Sequence, residues 1–255
     1  MAEDRIKNIS EAEAEAAGQS DVYSSRRTQT SESLAVGLIL AFSGGFQDAY
    51  TYLMRGKVFA NAQTGNVVLM SVNFIGGSWT LGLRYLLPVL AFIAGVFVAD
   101  LISHWLKYSR KLHWRQWVLL FEIAVIVASG FLPDRLNIPV NVMISFSCAM
   151  QVQAFRTLRG SIYYASTMCI GNLRGGTAAL VSSFFNRDRG ERRIALYYFG
   201  LILVFAAGAG VCGILVRFLK FRTIWISAIA LAACFILMFR RYTGAAETVR
   251  ERQQT

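Results

Sequence analysis

The chain has 255 residues, 55% of them hydrophobic and only 16% charged, with a net charge of +11. A mean hydropathy of +0.44 over that length excludes an ordinary soluble domain and predicts an integral membrane protein. Lys and Arg cluster beside the ends of apolar segments, as orientation-setting charge does, which excludes nucleic acid as the reason for the basic balance.

Residues 1–33 are polar, include "EAEAEAA", and hold no apolar core of the kind a cleaved signal peptide carries. They are expected to form a disordered, water-exposed cytoplasmic tail. Apolar stretches follow at Leu34–Met54, Leu81–Leu106, Trp117–Leu132, Ile138–Phe155, Ile194–Val216 and Ile224–Phe239. Most come near the roughly 20 residues a helix needs to cross a ~30 Å hydrocarbon core. Two shorter or interrupted runs, Val58–Ile75 and Ile162–Phe185, lie between them, and residues 240–255 form a second polar, cytoplasmic tail. The expected fold is all-α, a polytopic membrane helical bundle in one transmembrane domain over residues 34–239, because a multi-span chain must satisfy its backbone in helices or a closed barrel.

Charge placement bears on the two short runs. With a cytoplasmic N-terminus and eight spans, 14 Lys and Arg fall inside and 11 outside, almost no bias. If the short runs enter and leave by the same side, the division becomes 18 inside and 7 outside. Six spans plus two interrupted or re-entrant helices therefore fit better, although Arg217, Lys220 and Arg222 in the loop after Val216 leave a seven-span arrangement open. Six spans divide into halves, 34–132 and 136–239, which three spans each make inverted with respect to one another. "GFQDAY" (Gly45–Tyr50) precedes "TGN" (Thr64–Asn66) as "AMQVQA" (Ala149–Ala154) precedes "IGN" (Ile170–Asn172), matching Gln47 to Gln151.

The stretch "GGFQDAYTYLMRGKVFANAQTGNVVLM" resembles the signature of the YoaK family of bacterial inner-membrane proteins: a Gly-Phe-x-Asp-Ala helix followed by a Phe-x-x-x-x-Thr-Gly-Asn segment. The likeness runs from about Leu34 to Phe239, and "STMCIGNLRGGTAAL" resembles the family's second such segment, with Ile170 where Thr is usual. The resemblance implies a six-span-type protein of the bacterial inner membrane, with no established substrate.

Among polar residues, Asp48 falls near the middle of the first span. An ionised carboxylate there costs several kcal/mol unless it is protonated, paired or facing water, which points either to a proton or cation site or to a hydrogen bond between helices. "FANAQTGNVVLM" supplies Asn61, Gln63, Thr64, Gly65 and Asn66 close by. If the chain is unwound to Gln63 and a helix restarts at Thr64, Thr or Asn can cap it and its free N–H groups point into the bundle. Gly171 and Asn172 give the counterpart in the second half, beside Arg174. Gly65 and Gly171 serve either such a site or close helix packing. Substrate or ion binding is thus expected at Asp48, Gln47, Asn61, Thr64, Gly65, Asn66, Gln151, Gly171 and Asn172.

Glu122 either snorkels to a cytoplasmic partner or lines the cavity. Asp100 is expected to pair with His104 or Lys107 at the surface, and the Trp-rich "HWLKYSRKLHWRQW" to form an aromatic belt. Cys148, Cys169, Cys212 and Cys234 lack paired spacing and read as packing residues, with no metal or cofactor implied. Gly208, Gly210 and Gly213 spell G-x-G-x-x-G inside an unbroken apolar run with no strand before it, which predicts close helix packing. No metalloprotease helix, nucleophile elbow or P-loop occurs, so no enzyme is expected. The reading is a proton- or ion-coupled secondary transporter or channel-like carrier of a small solute, with the lipid bilayer and a homodimer as partners; the alternative is a membrane scaffold or sensor.

Overall fold

The computed structural model describes residues 33–106, 114–158, 162–163, 167 and 169–238; residues 1–32 and 239–255, which hold the polar tails, and residues 107–113 of the Trp-rich segment, with the aromatic belt expected there, lie outside them. α1 (Leu34–Met54) begins where Ser33 Oγ accepts the N–H of Val36 at 3.4 Å. It ends at Arg55, and positive φ at Gly56 and Lys57 turns the chain into a non-helical stretch. α2 (Gln63–Ile75) stops at Gly76, and Gly77 (φ +77°) turns the chain into α3 (Trp79–Leu106).

α4 (Trp114–Ser129) and α5 (Asn137–Ala154) are joined through a 3₁₀ turn at Asp134–Leu136. After α5, β1 (Thr157–Leu158) pairs antiparallel with β2 (Ile162–Tyr163), a two-residue ladder in an otherwise helical fold. α6 (Cys169–Asn186) precedes α7 (Arg189–Leu219), whose first turn is capped by Asp188 Oδ1 accepting Gly190 N–H at 2.7 Å. A 3₁₀ turn at Lys220–Ile224, with Lys220 at φ +50°, separates α7 from α8 (225–238).

Each apolar run of the sequence is thus mainly helical, and both ambiguous runs contain a non-helical stretch before their helix. Among the described residues two helical runs, Trp79–Trp105 and Arg189–Met238, are long and apolar enough to cross a membrane by length and composition, against the six spans counted from the sequence. α1 carries Ser43, Gln47, Asp48 and Thr51 at buried positions, which lowers its apolar content.

α1 packs on α7 and α3 on α5, while α2 lies along α3, α6 along α7 and α4 along α5. Two crossings depend on missing side chains. A Cβ at Gly45 would meet the backbone carbonyl of Phe205, one at Gly208 the carbonyl of Phe42, and one at Gly95 the carbonyl of Phe146. Backbones therefore touch at the α1/α7 and α3/α5 crossings. Gly208 packs as expected, but Gly210 and Gly213 face open space, so close packing does not account for them. The main apolar core lies among α1, α4, α5 and α8, built from residues such as Leu40, Phe46, Ile126, Ile144 and Leu231. Large apolar side chains, including Val72, Trp79, Phe97, Phe184 and Phe218, cover the outside.

Candidate functional site

Consecutive residues on an α-helix point about 100° apart, and α1 uses two neighbouring faces differently. Ser43, Gln47 and Thr51 share one face, fully buried, while Gly44, Asp48 and Tyr52 share the next. Gln47 Nε2 lies 3.0 Å from Ser43 Oγ, 3.0 Å from Glu122 Oε1 and 3.3 Å from Ser227 Oγ. Its Oε1 accepts the thiol of Cys148, and the two serine hydroxyls are 2.7 Å apart. This closed cluster ties α1 to α4, α5 and α8. It corrects three expectations: Gln47 does not line the cavity, Glu122 neither snorkels nor lines it, and Cys148 bonds rather than merely packs. Glu122 is fully buried, and its Oε2 has no hydrogen-bond partner.

Asp48 faces the unwound stretch before α2. Its Oδ1 accepts the backbone N–H of Asn61 at 2.7 Å. Asn66 fixes that stretch in place. Its Oδ1 accepts Phe59 N–H at 3.1 Å, and its Nδ2 donates to Phe59 O at 2.7 Å and Gln63 Oε1 at 2.9 Å. The helix restarts one residue earlier than expected, at Gln63, and Ala62 at its N-cap makes no side-chain cap bond. Neither Thr64 nor Asn66 caps α2; Asn66 reaches back over the loop instead, and the Asn61 amide before α2 turns to Asp48. Gly65 packs, since a Cβ there would press on the Phe59 ring.

A cavity of about 900 Å³ opens beside Asp48. Asn61, Gln63 and Thr64 line it from the start of α2, Cys169, Ile170 and Gly171 from the start of α6, and Phe92 and Phe205 from α3 and α7. Among the described residues that line it, Asp48 alone is charged. The structure therefore gathers Asp48, Asn61, Thr64 and Gly171 of the expected set around one space. Gln151 is fully buried away from it, with both amide atoms unpartnered, and Asn172 is buried outside its lining. α6 starts at Cys169, two residues before Gly171, and nothing lies within 4 Å of a Cβ built on that glycine, so packing does not explain it. Arg174 is exposed beside Leu173 and Thr177, in a separate cavity.

Two residues escaped the sequence reading. Thr167, in "STMCIGN" just before α6, is 4% exposed, lines the cavity, and its hydroxyl has no partner. A hydroxyl two residues ahead of a helix start was the available signal. Arg55 is fully buried at the end of α1 and donates to Ser129 O (2.6 Å), Leu132 O (2.9 Å), Pro133 O (3.2 Å), Asn137 Oδ1 (3.3 Å) and Tyr50 Oη (3.0 Å). It satisfies the carbonyls at the C-terminal end of α4, which helix geometry leaves open. The Asp100 carboxylate does not pair with His104: its Oδ1 accepts Gln153 Nε2 at 2.9 Å, while the His104 ring meets the Asp100 backbone carbonyl at 2.9 Å; Lys107, the other expected partner, lies outside the described residues.

A family model described as "Protein of unknown function (DUF1275)" matches residues 36–237. The chain belongs to this family. DUF1275 includes the YoaK-type proteins, so the signature around Asp48 and its second copy identify the chain correctly. The DUF1275 match begins inside α1 and ends inside α8, enclosing both interrupted segments, the cavity and the buried Gln47 cluster. No match was found among curated proteins or among solved structures.

Proposed function

We propose that this DUF1275 chain is a multi-pass membrane protein, a proton- or ion-coupled secondary transporter or channel-like carrier of a small solute, with Asp48 as the coupling carboxylate and no catalytic role. The carrying observation is the cavity in which the starts of two interrupted helical segments meet one carboxylate. Broken helices that frame a charged group at mid-depth are the working element of many secondary carriers.

Three further features support the reading. Apolar side chains cover the outside while Gln47, Arg55, Glu122 and Asn141 are fully or almost fully buried, as expected of a bundle whose solvent is lipid. Two helix pairings have counterparts when the halves are exchanged: α1 on α7 mirrors α5 on α3, and α2 on α3 mirrors α6 on α7. These pairings support the reading of a 3+3 inverted repeat with α2 and α6 as re-entrant helices. Arg55 joins the end of α1 to the α4–α5 connection and stacks on Phe221 in the α7–α8 turn, the three places six spans bring to one side. A bacterial inner-membrane location with both tails in the cytoplasm, and assembly as a homodimer, complete the proposal.

The test is reconstitution in sealed vesicles, with proton flux recorded while a panel of small solutes is applied as gradients. Solute-driven flux in the wild type that falls about tenfold or more in Asp48→Asn is the expected result. Equal flux in both removes Asp48 as the coupling group, and no flux with any solute in either favours the scaffold.

A further inference from the structure

We propose that the start of α6 binds the carboxylate of a small apolar acid, whose hydrocarbon part fills the cavity and which enters together with one proton. This names the substrate class of the carrier proposed above and rests on that reading for its transport role, though not for binding.

The chain already displays what one of its broken helices binds. Two residues before α2 starts, the backbone N–H of Asn61 donates to a carboxylate, that of Asp48. In the repeat register that matches Gln47 to Gln151, Asp48 corresponds to Val152, so the second half supplies no acid at that position. The first turn of α6 contains no acidic residue either. The first-turn N–H groups of an α-helix lack intrahelical acceptors, and the helix dipole favours negative charge there.

A second observation at the same place is independent of the helix. Thr167 lines the cavity, is 4% exposed, and keeps an Oγ without a hydrogen-bond partner. A hydroxyl so placed donates to an anion. Beside it Gly171 leaves open space where any side chain would project. The remaining walls are mostly aromatic and aliphatic, including Phe59, Phe92, Phe205 and Val89, and the volume of about 900 Å³ exceeds what an inorganic anion needs. An acid with a hydrocarbon body matches both ends of that space.

Asp48 then explains the proton. Two carboxylates facing one apolar cavity repel each other unless one carries a proton. The other titratable groups around Asp48 are Tyr52 and Cys169 on the cavity wall, with Cys148 and Glu122 behind it in the core. No basic residue is among the described residues of the lining, so the charge of the incoming anion is balanced by a proton taken from water onto Asp48.

Equilibrium binding to the purified full-length protein tests this without requiring transport. Hexanoate, hexylammonium, hexanol and chloride are titrated calorimetrically in two buffers of different ionisation heat, which counts protons taken up. Hexanoate is expected to bind with uptake of one proton, and the other three at least roughly tenfold more weakly. Thr167→Val should weaken hexanoate roughly tenfold, the effect of one hydrogen bond to a charged group. Gly171→Leu fills the site without a backbone clash and should abolish binding, and Asp48→Asn should bind hexanoate with no proton uptake. Hexylammonium or chloride binding as tightly as hexanoate overturns the proposal, as does wild-type affinity in Thr167→Val or Gly171→Leu. Hexanoate binding in this pattern without vesicle flux leaves the site standing and removes only the carrier reading.

Discussion

Replacing Asn66 by alanine should release the stretch that holds Asp48. Asn66 is fully buried and bonds both backbone groups of Phe59, accepting from its N–H and donating to its C=O, with a third bond to Gln63. Each hydrogen bond contributes about 1 kcal/mol, and a polar group left without a partner costs roughly 1–3 kcal/mol. Two orphaned groups at a half-buried position therefore amount to about 2–4 kcal/mol of local stability, equivalent to roughly 30- to 700-fold faster opening. Hydrogen exchange on detergent-solubilised protein reads this directly, through peptides that cover residues 57–63. The Asn61 amide, bonded to Asp48 in the native protein, should lose protection along with its neighbours, while α4 and α5 keep theirs. Asn66→Asp retains an acceptor for Phe59 N–H and should give a smaller change. Wild-type exchange across 57–63 in Asn66→Ala would refute the assignment of Asn66 as the clamp.

Other substitutions discriminate packing from hydrogen bonding. Arg55→Lys replaces a five-donor fork, engaged with three carbonyls, Asn137 and Tyr50, by an ammonium with three donors, and should cost about 3 kcal/mol or more in thermal unfolding; an unchanged midpoint would contradict it. Gly208→Ala drives a methyl group into the carbonyl of Phe42 and should lower folded yield and midpoint, whereas Gly210→Ala and Gly213→Ala meet open space and should match the wild type or exceed it. Glu122→Gln keeps an acceptor for Gln47 Nε2 and should stay within about 1 kcal/mol of the wild type, while Glu122→Ala opens a hole in the core and should lose about 2 kcal/mol or more.

How far the sequence could be read depended on the range of the interaction. Helix positions follow from local hydropathy, and α1 occupies the stretch Leu34–Met54 foreseen for it. The break before α2 was visible as polar residues inside an apolar run, because unwound backbone needs such partners. Which polar side chain does what was less legible. Gln47 and Asp48 are adjacent in sequence and were assigned to one cavity, yet helical rotation sends them to different faces, a distinction that needs the neighbours α2, α4 and α8. The cap expected from Thr64 or Asn66 follows a rule about local sequence, and the long reach of Asn66 to Phe59 overrides it. Arg55 appeared as one more charge beside a span, since only the folded chain brings the carbonyls of residues 129–133 around it. Gly45, Gly95 and Gly208 were recognisable as small residues, but the backbones they admit are set by the α1/α7 and α3/α5 crossings.

The central claim is that Asp48 faces a cavity used for transport, and the chain carries its own reporter there. Cys169 is half-buried on the cavity wall, while Cys148, Cys212 and Cys234 are buried in the helix packing. Treating the vesicle-embedded protein with a small, water-soluble maleimide, then recording which cysteine is modified and how proton flux responds, joins geometry to function in one measurement. The account predicts modification at Cys169 ahead of the other three and a parallel fall in flux, both absent in Cys169→Ser. Cys169 reacting no faster than Cys212, or modification that leaves flux intact, would contradict it.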